Sequence, residues 1–318
     1  MKRFALCFAA LLALTACGGA ASSDTEILHV GSQRGGAKAL MLASGALDGA
    51  SYEVEWSEFP AAQHLLEAIG GGAVDVGLVG DAPFMFAYQS GSRIKAVAAH
   101  YVEARPMGAL ALVVPKSSPV RSLADLKGRK IATTRGSIGH YLVIRALQQA
   151  KLPPDWVSFA FLPPGDAKAA FSSGAIDGWS TWAPYLLPAI NEGARTIVDG
   201  HDLVKGYSFA VASDDAIRSK PALLADYLRR EAKALAWARA NPDAYGAVLA
   251  RETGLPIEVA RDYAVKNGRT AIPIDDALIA EQRQTLDDFR TAGAVSGNRP
   301  LPDGFDRTLF TRKVAAAN

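Results

Sequence analysis

The sequence predicts an α/β protein with two similar lobes, and three observations lead to this fold class. Strand-like segments are followed repeatedly by helix-like segments between residues 26 and 212. Several predicted helices end at glycines, most clearly at Gly70-Gly71-Gly72. The segment GAVDVG at 72–77 is similar to GAIDGW at 174–179, and in both a helix end leads into a strand that carries an aspartate. Together these observations favour parallel strands joined by helices.

The elements of the first lobe follow from this pattern in chain order. Strands are predicted at residues 26–31, 52–56, 74–79, 94–100 and 110–114. The helices between them are predicted at 37–47, at 61–69 and from Pro83 onward. This alternation is typical of strands that pair in parallel.

The second lobe repeats the order, and a helical region completes the chain. Its strands are predicted at 130–133, 159–162, 176–179 and 207–212. Its helices are predicted at 122–128, after the Gly136-Ser137 turn, at 166–173 and at 182–191. Further helices are predicted at 221–240, 243–253, 258–266 and 276–292, and their apolar faces indicate packing against the core.

The first residues predict export from the cytoplasm. Lys2 and Arg3 precede an apolar run at 4–14, which is too short for a permanent membrane span and is typical of a signal peptide. The box Leu14-Thr15-Ala16-Cys17 resembles a bacterial lipoprotein processing site. The alternative is an ordinary signal peptide with an incidental cysteine.

The lipoprotein interpretation divides this end of the chain. Residues 1–16 are expected to be removed, Cys17 to be acylated, and residues 17–25 to form a small polar tether. Cys7 lies in the removed segment, so no disulfide and no cysteine-based metal site is expected. We therefore expect a lipid-anchored protein in the periplasm or on the outer face of the cytoplasmic membrane.

The charge balance narrows the classes of partner. The chain has 34 Lys and Arg against 32 Asp and Glu, and removing Lys2 and Arg3 with the signal peptide leaves 32 against 32. A neutral body argues against nucleic-acid binding, which needs a positive surface. An anionic ligand would therefore be held by local dipoles rather than by a long-range field.

Motifs for nucleotide, metal and serine chemistry are not supported. No P-loop and no His-Glu-x-x-His is present, and the five histidines are scattered, so we expect neither cofactor nor metal. The segment GYSFA at 206–210 approaches Gly-x-Ser-x-Gly, but Ser208 lies within a strand pattern instead of on a strand-to-helix turn.

Three turns share one form, in which a strand passes through small polar residues into a helix. They are SQRGG at 32–36, GDAP at 80–83 and GSIGH at 136–140. A helix start exposes unpaired N–H groups and a partial positive charge, and such turns meet at the carboxyl ends of strands. Two facing lobes would then form a cleft for a small anion. Ser137 and Asp81 can also be simple helix caps, and Trp179 and Trp182 either stack on a ligand or pack in the core.

The segments that carry these turns resemble a known family. In family order they are GSQRGG (31–36), WSEFP (56–60), GDAP (80–83), DLKG (125–128), GSIGHYL (136–142), LPPGDA (162–167), AF (170–171) and IDGW (176–179). Together they resemble the nitrate/sulfonate/taurine group of periplasmic solute-binding proteins, and most closely its aliphatic-sulfonate branch. The C-terminal third resembles the family only in being helical and contains none of these segments.

The resemblance implies a bilobal type II periplasmic-binding-protein fold with a two-strand hinge. Lobe 1 would comprise residues 26–112 and 208–318, and lobe 2 residues 113–207. Such a protein would act as a monomer without enzymatic activity. It would capture an organic sulfonate or similar small anion and deliver it to the permease and ATPase of an ABC importer.

The candidate binding residues combine the family's anion-binding positions with the turns. They are Gln33, Gly80, Asp81, Ala82, Ser137, Ile138, Gly139, His140, Asp166, Trp179 and Trp182. In two places the family has a more polar residue: Ala82 replaces a threonine, and Ala183 replaces an aspartate. Both changes make the expected pocket less polar, which also admits a bulkier organosulfur ligand or another oxyanion such as nitrate.

Two functions of other classes remain alternatives. One is an enzyme on the same scaffold, related to the pyrimidine-precursor synthases. Those enzymes use a reactive lysine or histidine and a cysteine-rich loop, whereas the chain after Cys17 has no cysteine. The other is a sensor lobe that passes a ligand signal to a membrane kinase.

Overall fold

The structure is a computed structural model that describes residues 25–102 and 108–311. The predicted signal peptide and the acylation site at Cys17 lie outside the described residues. Within the part of the chain that is described, no helix combines the length and apolarity that a membrane span requires.

The strands are distributed over two sheets. In chain order they are β1 (Ile27–Gln33), β2 (Glu53–Phe59), β3 (Val76–Gly80), β4 (Ile94–Val102), β5 (Leu110–Val114), β6 (Lys130–Thr133), β7 (Ser158–Phe161), β8 (Gly178–Trp182), β9 (Arg195–Asp199), β10 (Gly206–Ser213) and β11 (Thr270–Ile272).

Helices connect most of these strands and form most of the C-terminal third. They are α1 (Ala37–Ser44), α2 (Ala62–Gly70), α3 (Asp81–Gln89), α4 (Ile138–Gln149), α5 (Pro164–Ser172), α6 (Leu186–Asn191), α7 (Asp214–Ser219), α8 (Pro221–Ala240), α9 (Pro242–Thr253), α10 (Ile257–Lys266) and α11 (Asp276–Thr291). Short 3₁₀ turns lie at Ala124–Leu126, Pro154–Trp156 and Leu301–Gly304.

Both sheets are mixed, whereas the sequence pattern predicted parallel pairing. The first sheet has the order β11-β4-β10-β3-β1-β2, and the second has the order β7-β6-β8-β5-β9. The β1–β2, β1–β3, β6–β7 and β6–β8 pairs are parallel as predicted. Strand β10 runs antiparallel to both of its neighbours, and so does β5. Both β5 and β10 are the first strands after the chain passes from one sheet to the other, and each runs opposite to its new neighbours. The alternation of helices and strands in the sequence does not show where the chain changes sheets.

Among the described strands, β1 to β4 belong to the first sheet, β5 to β9 to the second, and β10 and β11 again to the first. The predicted boundary at residues 112–113 falls inside β5, which belongs wholly to the second sheet. The predicted boundary at residues 207–208 falls inside β10, which belongs to the first sheet. A short apolar run has the same appearance in either sheet, so its pattern does not identify the sheet that it joins.

Helix α4 links the cores of the two lobes. It follows β6 of the second sheet, yet its apolar residues Ile138 and Tyr141 pack in the core cluster that includes α3 and α11. The Tyr141 ring lies 5.4 Å from that of Phe289, and its hydroxyl donates to Asp288 Oδ2 at 2.9 Å. The N-terminus of α4 is therefore held in place by helices that pack on the first sheet.

Candidate functional site

A cleft of about 1450 Å³, including solvent at its open mouth, lies between the two sheets. Its walls contain the last residues of β1, β3 and β8 and the beginning of β10. The C-terminal helices α9 and α10 supply a further wall. The carboxyl ends of parallel strands from both lobes thus face the same space, where open α/β sheets bind ligands.

The helices α1, α2, α3 and α4 begin at this cleft, and the first turns of α1, α2 and α4 contain no acidic residue. The lining residues at their first turns are Gly36 and Ala37 for α1, Ala62 and Gln63 for α2, and Ser137 and Ile138 for α4. The backbone N–H groups of Ala37, Gln63 and Ile138 have no acceptor in the described part of the chain. Converging helix N-termini combine free donors with a partial positive charge, which suits an anion.

Ser137 caps α4, and its hydroxyl can still donate to a ligand in the cleft. Its Oγ accepts from the N–H of His140 at 3.1 Å and lies 3.2 Å from Thr133 Oγ1. A hydroxyl can accept two hydrogen bonds and donate one. When the Thr133 hydroxyl is the donor, both acceptor positions of Ser137 are filled and its own proton can point to a ligand.

His140 supports the turn from behind and does not line the cleft. The side chain is 3% exposed, and its Nδ1 accepts from the N–H of Gly136 at 3.2 Å. Burial and then the nearby charge of Arg135 lower the pKa of His140 to about 4. His140 is therefore neutral at physiological pH and adds no positive charge to the site. Gly139 also faces the interior, where a Cβ would lie 2.6 Å from the carbonyl oxygen of Ser180.

The turn before α3 differs from its expected role. Gly80 lines the cleft, but Asp81 is 2% exposed and Ala82 is fully buried. The N–H of Ala82 donates to Asp81 Oδ1 at 2.8 Å, so it is not available to a ligand. Because Asp81 places a carboxylate at the positive end of α3, this helix start offers little attraction to an anion.

Gln33 reaches the cleft from the end of β1. Its Nε2 donates to the carbonyl oxygen of Leu78 at 3.1 Å, which ties the ends of β1 and β3 together. An amide nitrogen carries two hydrogens, so the second remains available to a ligand.

The two tryptophans of β8 face different environments. Trp182 lines the cleft, whereas Trp179 is 1% exposed and packs in the second lobe, 5.8 Å from the ring of Phe171. Side chains alternate along a strand, so residues three positions apart point to opposite faces. Asp166 is exposed on α5 and does not line the cleft. The structure thus brings Gln33, Gly80, Ser137, Ile138 and Trp182 together, and it places the other candidates behind or away from the cleft.

Gln63 and Ser208 line the cleft but were not predicted as binding residues. Both polar atoms of the Gln63 side chain and the hydroxyl of Ser208 are buried and have no hydrogen-bond partner among the described residues. Ser208 is 7% exposed and lies opposite Gly80 in the β10–β3 pair. Buried polar atoms without partners are unfavourable, and a ligand in the cleft could satisfy them. The position of Gln63, in the first turn of a helix after a strand, is the one sequence signal that could have identified it.

The C-terminal third also contributes to the cleft, although its helices were predicted only to pack. Its polar and aromatic lining residues are Tyr245, Thr253, Tyr263, Asn267 and Arg269. With Arg34, the cleft has two arginines, and no Asp or Glu lines it within residues 25–102 and 108–311. No group of three or more His, Cys, Asp or Glu suited to a metal ion occurs there either. The two arginines and the aromatic rings of the described lining suit an organic anion.

Sequence and structure comparisons identify relatives over most of the chain. The sequence profile of the NMT1/THI5-like family matches residues 52–245. A putative aliphatic sulfonates-binding protein of Escherichia coli K12 is 35% identical over 289 residues, which are 89% of this chain and 90% of that protein.

Two solved structures share the architecture. The periplasmic aliphatic sulphonate binding protein SsuA from Escherichia coli has a TM-score of 0.71 and 32% identity, covering 85% of this chain and 88% of that one. The alkanesulfonate-binding protein SsuA from Xanthomonas axonopodis pv. citri, bound to MOPS, has a TM-score of 0.81 and 25% identity, covering 90% and 100%. The predicted bilobal, periplasmic-binding-protein-like fold is thereby confirmed. The chain belongs to the NMT1/THI5-like family.

Proposed function

We propose that this protein is an extracytoplasmic solute-binding protein that captures an organic sulfonate in the cleft and delivers it to an ABC importer. The observation that carries the proposal is the convergence of three helix N-termini with the unpaired Gln63 and Ser208 side chains. The names of the relatives, which describe binders of aliphatic sulfonates, support the same ligand class.

The chemistry of a sulfonate matches this set of donors. Its three oxygens share one negative charge and carry no proton, so they only accept hydrogen bonds. A phosphate or phosphonate that retains a proton would also need an acceptor, and no carboxylate lines the described part of the cleft. The donors available to the sulfonate are the Ile138 N–H, the Ser137 hydroxyl, the Gln63 amide and the Ser208 hydroxyl.

These donors are sufficient in energy. A hydrogen bond to a charged group contributes about 1.5–3 kcal/mol. Micromolar affinity requires about 8 kcal/mol after the entropy of association is included. Four such donors, together with contact to the organic part of the ligand, reach this range without a buried cation.

The transport role adds partners and a hinge to the proposal. The segment between β9 and β10, where the described chain returns from the second sheet to the first, would serve as part of the hinge between the lobes. The Tyr185 hydroxyl donates to the carbonyl oxygen of Pro60 at 2.6 Å and so joins the two sides of the cleft. We propose that the closed monomer presents its ligand to a membrane permease with its ATPase, and that it acts without turnover.

A ligand screen tests the binding role. Thermal shift and calorimetry would compare ethanesulfonate, benzenesulfonate, taurine, nitrate, sulfate and methylphosphonate. We expect sulfonates to stabilise the protein by about 2.7 kcal/mol at a hundredfold excess over Kd. Stabilisation by nitrate alone would change the ligand class, and no stabilisation by any anion would refute the proposal. Bound ligand should be recovered unchanged after long incubation, whereas a product would indicate an enzyme.

The lipid anchor needs its own test, because it is proposed from the Leu14-Thr15-Ala16-Cys17 box alone. Cells fed a labelled fatty acid should label the wild-type protein and leave a Cys17→Ser variant unlabelled. The variant should also appear in the soluble fraction. Labelling of the variant would place the acylation elsewhere, and an unlabelled wild type would favour an ordinary signal peptide.

A further inference from the structure

The cleft is lined by aromatic side chains from two separate parts of the chain. Trp182 and Tyr185 lie at and just after the end of β8, and Tyr245 and Tyr263 lie on α9 and α10. All four are half-buried and line the same cleft. They are called the aromatic subsite below.

The two halves of the aromatic subsite are held together by packing. Helices α9 and α10 form a small core of their own, against which Tyr245 and Tyr263 pack. Leu187, two residues after Tyr185, packs on this same core. The segment after β8 and the α9–α10 pair therefore meet, and both contribute aromatic side chains to the lining of the cleft.

The rings of the subsite have restricted orientations. Trp182 and Tyr185 form an edge-to-face pair, with ring centroids 6.1 Å apart and planes at 89°. The hydrogen bond from the Tyr185 hydroxyl to Pro60 holds the second of these rings across the cleft. Ordered rings that keep exposed surface in a concave site are a preorganised surface for another ring, which can meet them face-on or edge-on.

We infer that the aromatic subsite binds a ring, and that the preferred ligand is an arylsulfonate rather than a short alkanesulfonate. The inference rests on the proposed function, because the donors at the helix N-termini would hold the sulfonate while the aromatic subsite holds the organic part. A two-carbon chain covers little of this aromatic surface. A benzene ring fills more of it and adds directional contacts.

Calorimetry with two ligands and matched variants tests this inference. Wild-type protein should bind benzenesulfonate about tenfold more tightly than ethanesulfonate. Tyr245→Leu and Tyr263→Leu should each weaken benzenesulfonate binding several-fold and change ethanesulfonate binding by less than about twofold. Tyr245→Phe and Tyr263→Phe keep the ring and should stay close to wild type for both ligands. Two independent positions guard against one variant that fails to fold, which a thermal melt would reveal.

The outcomes separate this inference from the proposed function. If ethanesulfonate binds as tightly as benzenesulfonate, or if the leucine variants weaken both ligands equally, the ring preference is wrong and sulfonate binding stands. If no sulfonate binds, both the proposed function and the ring preference are wrong. Selective loss of benzenesulfonate in the leucine variants, with retention in the phenylalanine variants, would support the aromatic subsite.

Discussion

The starts of α3 and α4 have the same local form and opposite suitability for an anion. Each follows a strand through a glycine and a polar residue into the helix, at Gly80-Asp81 and at Gly136-Ser137. Ser137 caps its helix with a neutral hydroxyl, which can donate to a ligand when the Thr133 hydroxyl donates to it. Asp81 binds the N–H of Ala82 with a carboxylate and brings its own negative charge. A helix start that already carries a carboxylate in its first turn is therefore the poorer receptor for an anion.

The largest expected effect on sulfonate binding comes from placing an aspartate at the start of α4, as α3 has at its own start. Ser137→Asp keeps a good N-cap but places a negative charge among the donors. Like charges about 4 Å apart repel by roughly 4 kcal/mol near a protein surface, so sulfonate binding should weaken several-hundred-fold. Calorimetry would measure the loss. Retention of affinity within tenfold of wild type would show that the anion does not sit at α4.

Removing the hydroxyl of Ser137 should have a smaller effect. Ser137→Ala should weaken sulfonate binding by about 1–3 kcal/mol, because one donor to the charged ligand is lost. Stability should also fall by about 1 kcal/mol through the lost cap. Ser213→Ala is the matched control, since Ser213 caps α7 in the same way and does not line the cleft. Equal effects of the two variants on binding would remove Ser137 from the site.

The neutral histidine behind α4 predicts a dependence of stability on pH. The pKa of His140 is about 4 in the folded protein and about 6.5 when unfolded, so the unfolded state takes up the proton first as pH falls. The contribution of His140 to stability is present above pH 6.5 and is lost between pH 6.5 and 4. At pH 5 the loss should be about 2 kcal/mol.

Denaturant unfolding at pH 7 and pH 5 would measure this contribution. A His140→Asn variant can still accept from the Gly136 N–H and does not titrate, so it serves as the reference. Its free energy of unfolding should fall by about 2 kcal/mol less than that of the wild type over this interval. Equal losses in the two proteins would show that His140 does not titrate as its burial implies.

The smallest expected effect lies at α3. Asp81 acts on a residue that lines the cleft, since burial, the contacts with Glu281, the nearby Tyr101 and then the charge of Asp81 raise the pKa of Tyr207. Asp81→Asn keeps an oxygen for the Ala82 N–H and removes the charge. Sulfonate binding should strengthen by about 0.3–1 kcal/mol. If Asp81→Asn has the melting temperature of the wild type but binds sulfonate more weakly, the charge of Asp81 does not disfavour the anion.

The sequence pattern predicted those parts of the site that are formed by residues close together in the chain. The Gly-Ser turn before α4 and the strands that lead to the cleft follow from short-range periodicity and turn residues. The direction of Trp179 depended on the start of β8, because a shift of the strand along the chain decides which residues face the cleft. The burial of Asp81 required the packing around α3, which short-range pattern does not contain.

The remaining site residues are brought together by tertiary structure. Ser208 reaches the cleft because β10 inserts between β3 and β4, a pairing between segments far apart in the chain. Tyr245, Tyr263 and Arg269 reach it because α9 and α10 fold back beside the cleft. The periodicity of α9 and α10 indicated that each helix has an apolar face. It did not indicate which surface of the protein that face would pack against.

The packing of α4 has a consequence for the rate of ligand capture. Asp288 accepts from both Tyr141 and Arg145, and it is almost fully buried beside Phe289. Moving α4 away from α11 would expose these groups, so its N-terminus is held at the cleft together with those of α1 and α2. The receptor for the anion is then assembled before the ligand arrives. Association should proceed at the rate of diffusional encounter, and lobe closure should govern how long the ligand stays.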